Sequence, residues 1–235
     1  MDEKKVMEKV VAKERYPDAH FANIFSLVGI KNKESLNPAD WIWKDRIVFG
    51  GHQIKTGTDM WAVFGEGGST PSTMCAARVG IAVSGLLPGM RRKQSDCIKA
   101  YVQTLLSGEK TFVGLPRNWW PEAWSKMVQP VCELLYALYG HPLAGDMWQS
   151  KLHGVLIQVG FEFLEGWPSL YYKLFLAVDG VTIIDVVIFI VYVDDLIMLG
   201  GPNLDQVIAL VRKEIDMEEP HEIDKYLGVH HQIVS

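Results

Sequence analysis

Apolar and polar positions along the chain follow two different periods. At residues 148–159, Trp148, Leu152, Val155, Leu156 and Val159 recur at helical spacing, and the stripe stops at Gly160, which predicts an amphipathic helix. An unbroken apolar run over residues 186–193 predicts a buried central strand, and residues 196–199, just past two aspartates, predict its antiparallel partner. Asn203, with Gln206 three positions on, predicts a capping box opening a helix that carries Val207, Leu210, Val211 and Ile215. Earlier, Thr70-Pro71 supplies a cap and a first-position proline for a small-residue helix bearing Met74, Ala77, Val79, Ile81 and Leu86. Residues 47–49 follow the Trp41, Trp43, Lys44, Arg46 cluster and run into Gly50-Gly51, which predicts a strand ending in a turn and a hairpin with basic residues on one arm. Residues 130–139 are expected to be ordered and buried, and residues 1–18 to form a charged, weakly helical lead-in. This order predicts an α+β fold with helices covering one face of an antiparallel sheet. Without internal repeats or low-complexity linkers, residues 19–235 are expected to form a single domain with two lobes.

Composition narrows this picture. With 235 residues and 49% apolar positions, the chain can bury one large core or two modest ones. The net charge of −5 argues against a nucleic-acid partner until its distribution is considered. Residues 214–224 hold Glu214, Asp216, Glu218, Glu219, Glu222 and Asp224 with no Lys or Arg, so the remainder is close to neutral and has room for a local basic groove. Arg91, Arg92, Lys93 and Lys99 cluster around Asp96; they are either that groove or a solvated face. Cys75, Cys97 and Cys132 are odd in number and lack Cys-x-x-Cys spacing, so neither a disulfide framework nor a zinc site is expected. Residues 1–15 mix both charges without an apolar core, unlike a secretory signal. The most apolar stretch, residues 181–201, is interrupted by Asp185, Asp194 and Asp195, too soon to span a bilayer. An intracellular setting, in a cytoplasmic particle or the nucleus, with no membrane partner is expected.

Asp194 and Asp195 stand between two apolar runs in Ile190-Val191-Tyr192-Val193-Asp194-Asp195-Leu196-Ile197-Met198-Leu199. Adjacent acids at the tip of a buried hairpin face desolvation and mutual repulsion, both of which a bound cation offsets. Hard oxygen donors on a rigid turn suit Mg²⁺. The plainer reading is an ordinary turn, since Asp is favoured there. Upstream, Ser95-Asp96-Cys97-Ile98-Lys99-Ala100-Tyr101-Val102-Gln103 adds a third acid, expected at a strand start, followed by an aromatic.

The pair Asp-x-x-x-Ala-Tyr and, about one hundred residues later, Tyr-x-Asp-Asp resembles the two metal-binding motifs of reverse transcriptases. Three further stretches resemble the copia-type retrotransposon branch: Trp43-Lys44-Asp45-Arg46-Ile47-Val48, Ala137-Leu138-Tyr139-Gly140 and Lys225-Tyr226-Leu227-Gly228-Val229. The motifs keep the family's order over residues 19–235. The resemblance implies a right-hand polymerase of fingers and palm, its antiparallel palm sheet backed by helices, the thumb absent or incomplete. It implies an RNA-directed DNA polymerase core of a Pol polyprotein, adding deoxynucleotides to a primer 3′-hydroxyl on an RNA or DNA template. It further implies that Asp96, Asp194 and Asp195 hold two Mg²⁺ ions, with Mn²⁺ as a substitute, one at the primer hydroxyl and one at the triphosphate. Lys44 and Arg46 would face the triphosphate, Tyr101 would exclude a 2′-hydroxyl, and Gln103 and Tyr192 would line the substrate site. An RNase H region is the partner expected downstream.

Other conspicuous residues have plainer readings. Trp119, Trp120 and Trp124 resemble a family structural segment more than base-stacking platforms. His230 and His231 are adjacent and point to opposite sides of a strand, so no zinc is expected there. Gly65-Glu66-Gly67-Gly68-Ser69 lacks the Lys-Ser or Lys-Thr of a phosphate-binding loop. The sequence departs from the copia-type pattern at Leu143, where many relatives carry a Gln that positions template and nucleotide. That departure leaves a rival reading, a catalytically silent retrotransposon remnant that at most binds nucleic acid as a scaffold. A different palm-type polymerase is the third.

Overall fold

A computed structural model describes residues 6–65, 69–226 and 229–230. The chain divides into two compact units, Met1–Gly67 with Thr104–Met147, and Gly68–Gln103 with Trp148–Ser235. Both mix strands and helices, so the α+β expectation holds; four α-helices occur among the described residues. None of them is long and apolar enough to cross a membrane.

In chain order the elements are β1 (Val6–Glu8), α1 (Lys9–Arg15), β2 (His20–Lys31), β3 (Ile42–Phe49), β4 (Lys55–Thr56), α2 (Met74–Leu86), β5 (Arg91–Asp96), β6 (Thr111–Gly114), β7 (Pro130–Glu133), α3 (Ala144–Val159), β8 (Glu162–Phe163), β9 (Leu170–Leu176), β10 (Ile183–Tyr192), β11 (Asp195–Gly200), α4 (Leu204–Val211), β12 (His221–Glu222), β13 (Lys225–Tyr226) and β14 (Val229–His230).

The first unit carries a sheet ordered β1-β7-β6-β2-β3, with β4 also on β2. Residues 6–15 are part of this architecture: β1 pairs with β7, and Ala12 of α1 is fully buried with Phe21, Phe112 and Val131. The strand foreseen at residues 47–49 is longer than expected and takes in Lys44 and Arg46, and its hairpin partner is the preceding β2, paired from Ile24↔Phe49 out to Lys31↔Ile42. Trp124 is buried, and Trp120 packs against the same cluster while donating its indole N–H to the Leu115 carbonyl at 2.9 Å.

The second unit holds an antiparallel sheet ordered β12-β5-β11-β10-β9-β8. Helices cover both of its faces, not the single face expected. Val187, Phe189 and Val191 of β10 and Leu196 and Met198 of β11 pack with Trp148, Leu152 and Leu156 of α3 and Leu204 and Val207 of α4. Ile190, Ile197 and Leu199 point the other way, onto Ala76 and Ala77 of α2. Two-sided burial is why residues 186–193 read as unbroken apolar rather than alternating. Gly80 lets α2 lie close, because a Cβ there would meet Ile190 Cδ1 at 2.5 Å and Leu199 Cδ1 at 3.1 Å.

Helix ends differ in detail from the sequence reading. Thr73, not Thr70, caps α2, its hydroxyl accepting from the Ala76 N–H at 3.1 Å. Asn203 precedes α4 in a helical conformation and forms no side-chain cap. The carboxylate of Asp185 takes over, accepting from the N–H groups of Gly201 and Asn203 at 3.0 and 2.9 Å. α3 does end at Gly160, φ 93°, where Phe161 N–H bonds the Leu156 carbonyl at 3.0 Å and Gly160 N–H the Ile157 carbonyl at 2.9 Å, a left-handed helix stop.

Candidate carboxylate site

The Asp-Asp turn is the hinge between β10 and β11. Tyr192 pairs with Asp195, so Val193 and Asp194 form a two-residue loop and Asp195 opens β11. Next to it, β5 pairs with β11 such that Asp96 lies directly across from Asp195. Asp96 therefore ends a strand, whereas the sequence suggested a strand start. β5 reads Arg-Arg-Lys-Gln-Ser-Asp, without an apolar position, and belongs to the sheet only because β11 on one side and β12 on the other supply its hydrogen-bond partners. Beyond the paired registers, Cys97 N–H donates to the Asp194 carbonyl at 2.8 Å, tying the strand end to the turn.

Three acids thus gather at one end of the sheet, and their neighbours register the charge. Burial, a hydrogen bond with the Asp96 carboxyl and the charges of Asp96 and Asp194 hold Asp195 well above the ordinary carboxylate range. The Cys97 thiol is pushed up by burial first and then by Asp194, Asp96 and Asp195. Burial and then Asp194 raise the Tyr101 phenol, and burial and then Asp195 raise that of Tyr226.

The donor chemistry fits a divalent cation: three carboxylates on backbone anchored by sheet pairing, in surroundings that penalise uncompensated negative charge. Asp96 and Asp195 share a hydrogen bond. Among the described residues no three His, Cys, Asp or Glu side chains converge on a single point as they stand. Asp96, Asp194 and Asp195 would be the residues to hold such an ion.

The remaining expected site residues fall into two groups. Tyr192 is partly exposed and faces Asp195 across the hairpin. Tyr101 and Gln103 lie on the short 3-10 turn Ala100–Gln103. The Gln103 amide is fully engaged, donating to the Ile98 and Asp216 carbonyls at 2.7 and 2.8 Å and accepting from Asp216 N–H at 2.9 Å. Lys44 and Arg46 belong to the other compact unit, exposed on one face of β3, with the Arg46 guanidinium 6.0 Å from the Tyr139 ring centroid. The basic cluster around Asp96 is largely committed elsewhere: Arg91 and Lys93 both bind the Asp205 carboxylate, at 2.6 and 2.8 Å, and Arg92 Nε donates to the Ser84 hydroxyl at 2.7 Å. Leu143, at the departure from the copia-type pattern, donates its N–H to His141 Nδ1 at 3.2 Å. Leu227, Gly228, His231 and the Glu66-Gly67-Gly68 stretch lie outside the described residues.

Sequence reasoning missed the residue that touches the turn from outside. Trp148 counted only as part of an apolar stripe, yet its indole N–H donates to the Val193 carbonyl at 2.7 Å. The available signal was the indole itself, since a buried tryptophan needs an acceptor that a purely apolar face does not provide.

No curated protein sequence matches the chain. The model of a protein family described as reverse transcriptase (RNA-dependent DNA polymerase), found in copia-type elements, matches residues 28–234. Since that match takes in most of the chain, including the strands and the turn that carry Asp96, Asp194 and Asp195, the protein belongs to the reverse transcriptase family.

Proposed function

We propose that the chain is the fingers-and-palm core of a copia-type RNA-directed DNA polymerase from a retrotransposon Pol polyprotein, using Asp96, Asp194 and Asp195 as its catalytic carboxylates. One observation carries this reading: Asp96 stands opposite Asp195 across β5 and β11, and Asp194 occupies the adjoining turn. Two Mg²⁺ ions bound there would supply Lewis-acid stabilisation of the primer 3′-oxygen and of the triphosphate charge. The chain's own contribution is position. Sheet pairing fixes the carboxylates, and the partly buried surroundings strengthen their interaction with any cation.

The second unit corresponds on this reading to the palm and the β2–β3 hairpin to the fingers, with Lys44 and Arg46 offering positive charge to the triphosphate. Tyr101, whose phenol feels Asp194, is assigned to the sugar edge, where its ring would exclude a 2′-hydroxyl. Tyr192 is assigned to the primer end beside Asp195. Gln103 is assigned to holding the Ala100–Gln103 turn in place, because its amide is already satisfied by Ile98 and Asp216. The bound partners on this reading are a primed RNA or DNA template and deoxynucleoside triphosphates. A silent remnant is favoured by Leu143 in place of the usual Gln and by the lack, among the described residues, of three converged metal donors.

Primer extension separates the two. Purified chain with a primed RNA template, deoxynucleotides and Mg²⁺ is expected to give dideoxynucleotide-sensitive products, and Asp194→Asn none. Well-folded native chain that yields no product with Mg²⁺ or Mn²⁺ supports the remnant instead.

A further inference from the structure

The turn bearing Asp194 contains a residue in a conformation that its own side chain opposes. Val193 has φ 59°, while Asp194 is not among the positive-φ residues. Positive φ at the first position of a two-residue hairpin loop is the type II′ turn, where glycine is usual. A β-branched residue there is strained, and such strain persists only when surrounding structure over-determines it.

Two contacts from outside the hairpin do so. Trp148, 1% exposed, donates its indole N–H to the Val193 carbonyl at 2.7 Å. Cys97 N–H donates to the very next carbonyl, that of Asp194, at 2.8 Å. The indole body is locked in the cluster formed with Leu152, Leu156, Phe189, Val191 and Met198, so its N–H has a fixed direction. A core helix and the strand ending at Asp96 thereby grip successive peptide groups of the turn.

We propose that Trp148 is a positioning residue for the polymerase reaction: by holding the Val193 carbonyl it keeps the strained turn in the one conformation that sets the Asp194 carboxylate beside Asp96 and Asp195. The proposal rests on the polymerase reading of those carboxylates. It deepens that reading, because Trp148 touches neither substrate nor cation and acts only through the backbone. Phenylalanine fills most of the indole volume and offers no donor, so Trp148→Phe isolates the hydrogen bond. Val193→Gly removes the steric objection to positive φ, so a turn carrying it needs the grip less.

The test compares the native chain, Trp148→Phe, Val193→Gly and the double variant by two readouts: the Mg²⁺ dependence of primer extension and amide hydrogen exchange over residues 193–196. Trp148→Phe is expected to lower kcat and raise the half-saturating Mg²⁺ roughly three- to tenfold, the weight of one hydrogen bond, with little change in nucleotide KM. Exchange in the turn rises by a similar factor. In the Val193→Gly background the same substitution costs less than about half as much on a logarithmic scale. Native exchange and Mg²⁺ dependence in Trp148→Phe, or an undiminished cost in the Val193→Gly background, overturn the proposal. If Trp148→Phe does not fold alone, rescue of folding by Val193→Gly supports the grip, and failure in both backgrounds assigns Trp148 to core filling and overturns it. A native chain inactive with every cation sinks the polymerase reading separately; the exchange measurements still decide whether Trp148 grips the turn.

Discussion

Hairpins β10–β11 and β2–β3 are built from similar β-branched and aromatic residues but put them to opposite use. In β10–β11 the residues from Val187 to Leu199 that flank the turn are covered by helices on both faces, and the acids stand at the two ends, Asp194 and Asp195 at the turn and Asp185 at the far end of β10. In β2–β3 Leu27, Val28, Trp43 and Ile47 are exposed beside Lys44 and Arg46, and the apolar packing is concentrated at the Phe49 end. A covered hairpin delivers its tip to a fixed place at the cost of repulsion among the acids it carries. An open hairpin presents positive charge at little cost but with no rigid support. On the proposed polymerase reading, the fixed carboxylates would take the task of holding reacting atoms in line and the open basic arm that of gathering phosphate charge.

The contrast breaks most visibly at the carboxylates. Asp96→Asn or Asp194→Asn is expected to reduce primer extension at least about a hundredfold, as removal of a main electrostatic contributor does, while leaving the melting temperature equal or higher because a repulsive acid is gone. A variant that loses both activity and fold would instead mark the acids as structural.

Acid is expected to act on the two units with opposite sign. His141 in the first unit is held down to about 4, chiefly by burial and then by His20. Its folded value lies below the unfolded one, so the stability it contributes is present above about pH 6.5 and is lost as pH falls through about 4, up to about 3 kcal/mol. Asp195 is raised, so its contribution is present below the unfolded carboxylate value and is lost as pH rises through the folded one. Urea unfolding from pH 7.5 to 4 is expected to show the first slope disappearing in His141→Asn and the second in Asp195→Asn. Equal pH profiles for native and variant chains would contradict this.

The close approach of α2 offers a smaller lever. Gly80→Val is expected to destabilise the chain by about 1–3 kcal/mol through collision with Ile190 and Leu199, read as a lower urea midpoint at unchanged slope. Smaller still in stability is the open hairpin, where Lys44→Ala and Arg46→Ala are expected to shift unfolding by no more than about 0.5 kcal/mol. Their effect should appear as a higher KM for deoxynucleotides. A change in kcat alone would place them outside the phosphate site.

The covered region was also the more legible in the sequence. Unbroken hydrophobicity at residues 186–193, the stripe at residues 148–159 and the two adjacent acids all carry strong local signals, and each element formed near its expected place. β5 carried none, because six polar residues become a strand only when neighbours on both sides accept them. The capping of α4 by Asp185 and the grip of Trp148 on Val193 join residues 18 and 45 positions apart, beyond any local pattern. Thr73 was passed over for Thr70 because Pro71 imitates a first helical position.

Whether Asp96, Asp194 and Asp195 repel one another until a divalent cation joins them is tested most directly by thermal unfolding of cation-free chain with increasing Mn²⁺ at pH 7.5. A concentration-dependent rise in melting temperature is expected, equivalent to about 2.7 kcal/mol at a hundred times the dissociation constant and absent in Asp96→Asn. An equal rise in both chains, or none in either, would contradict it.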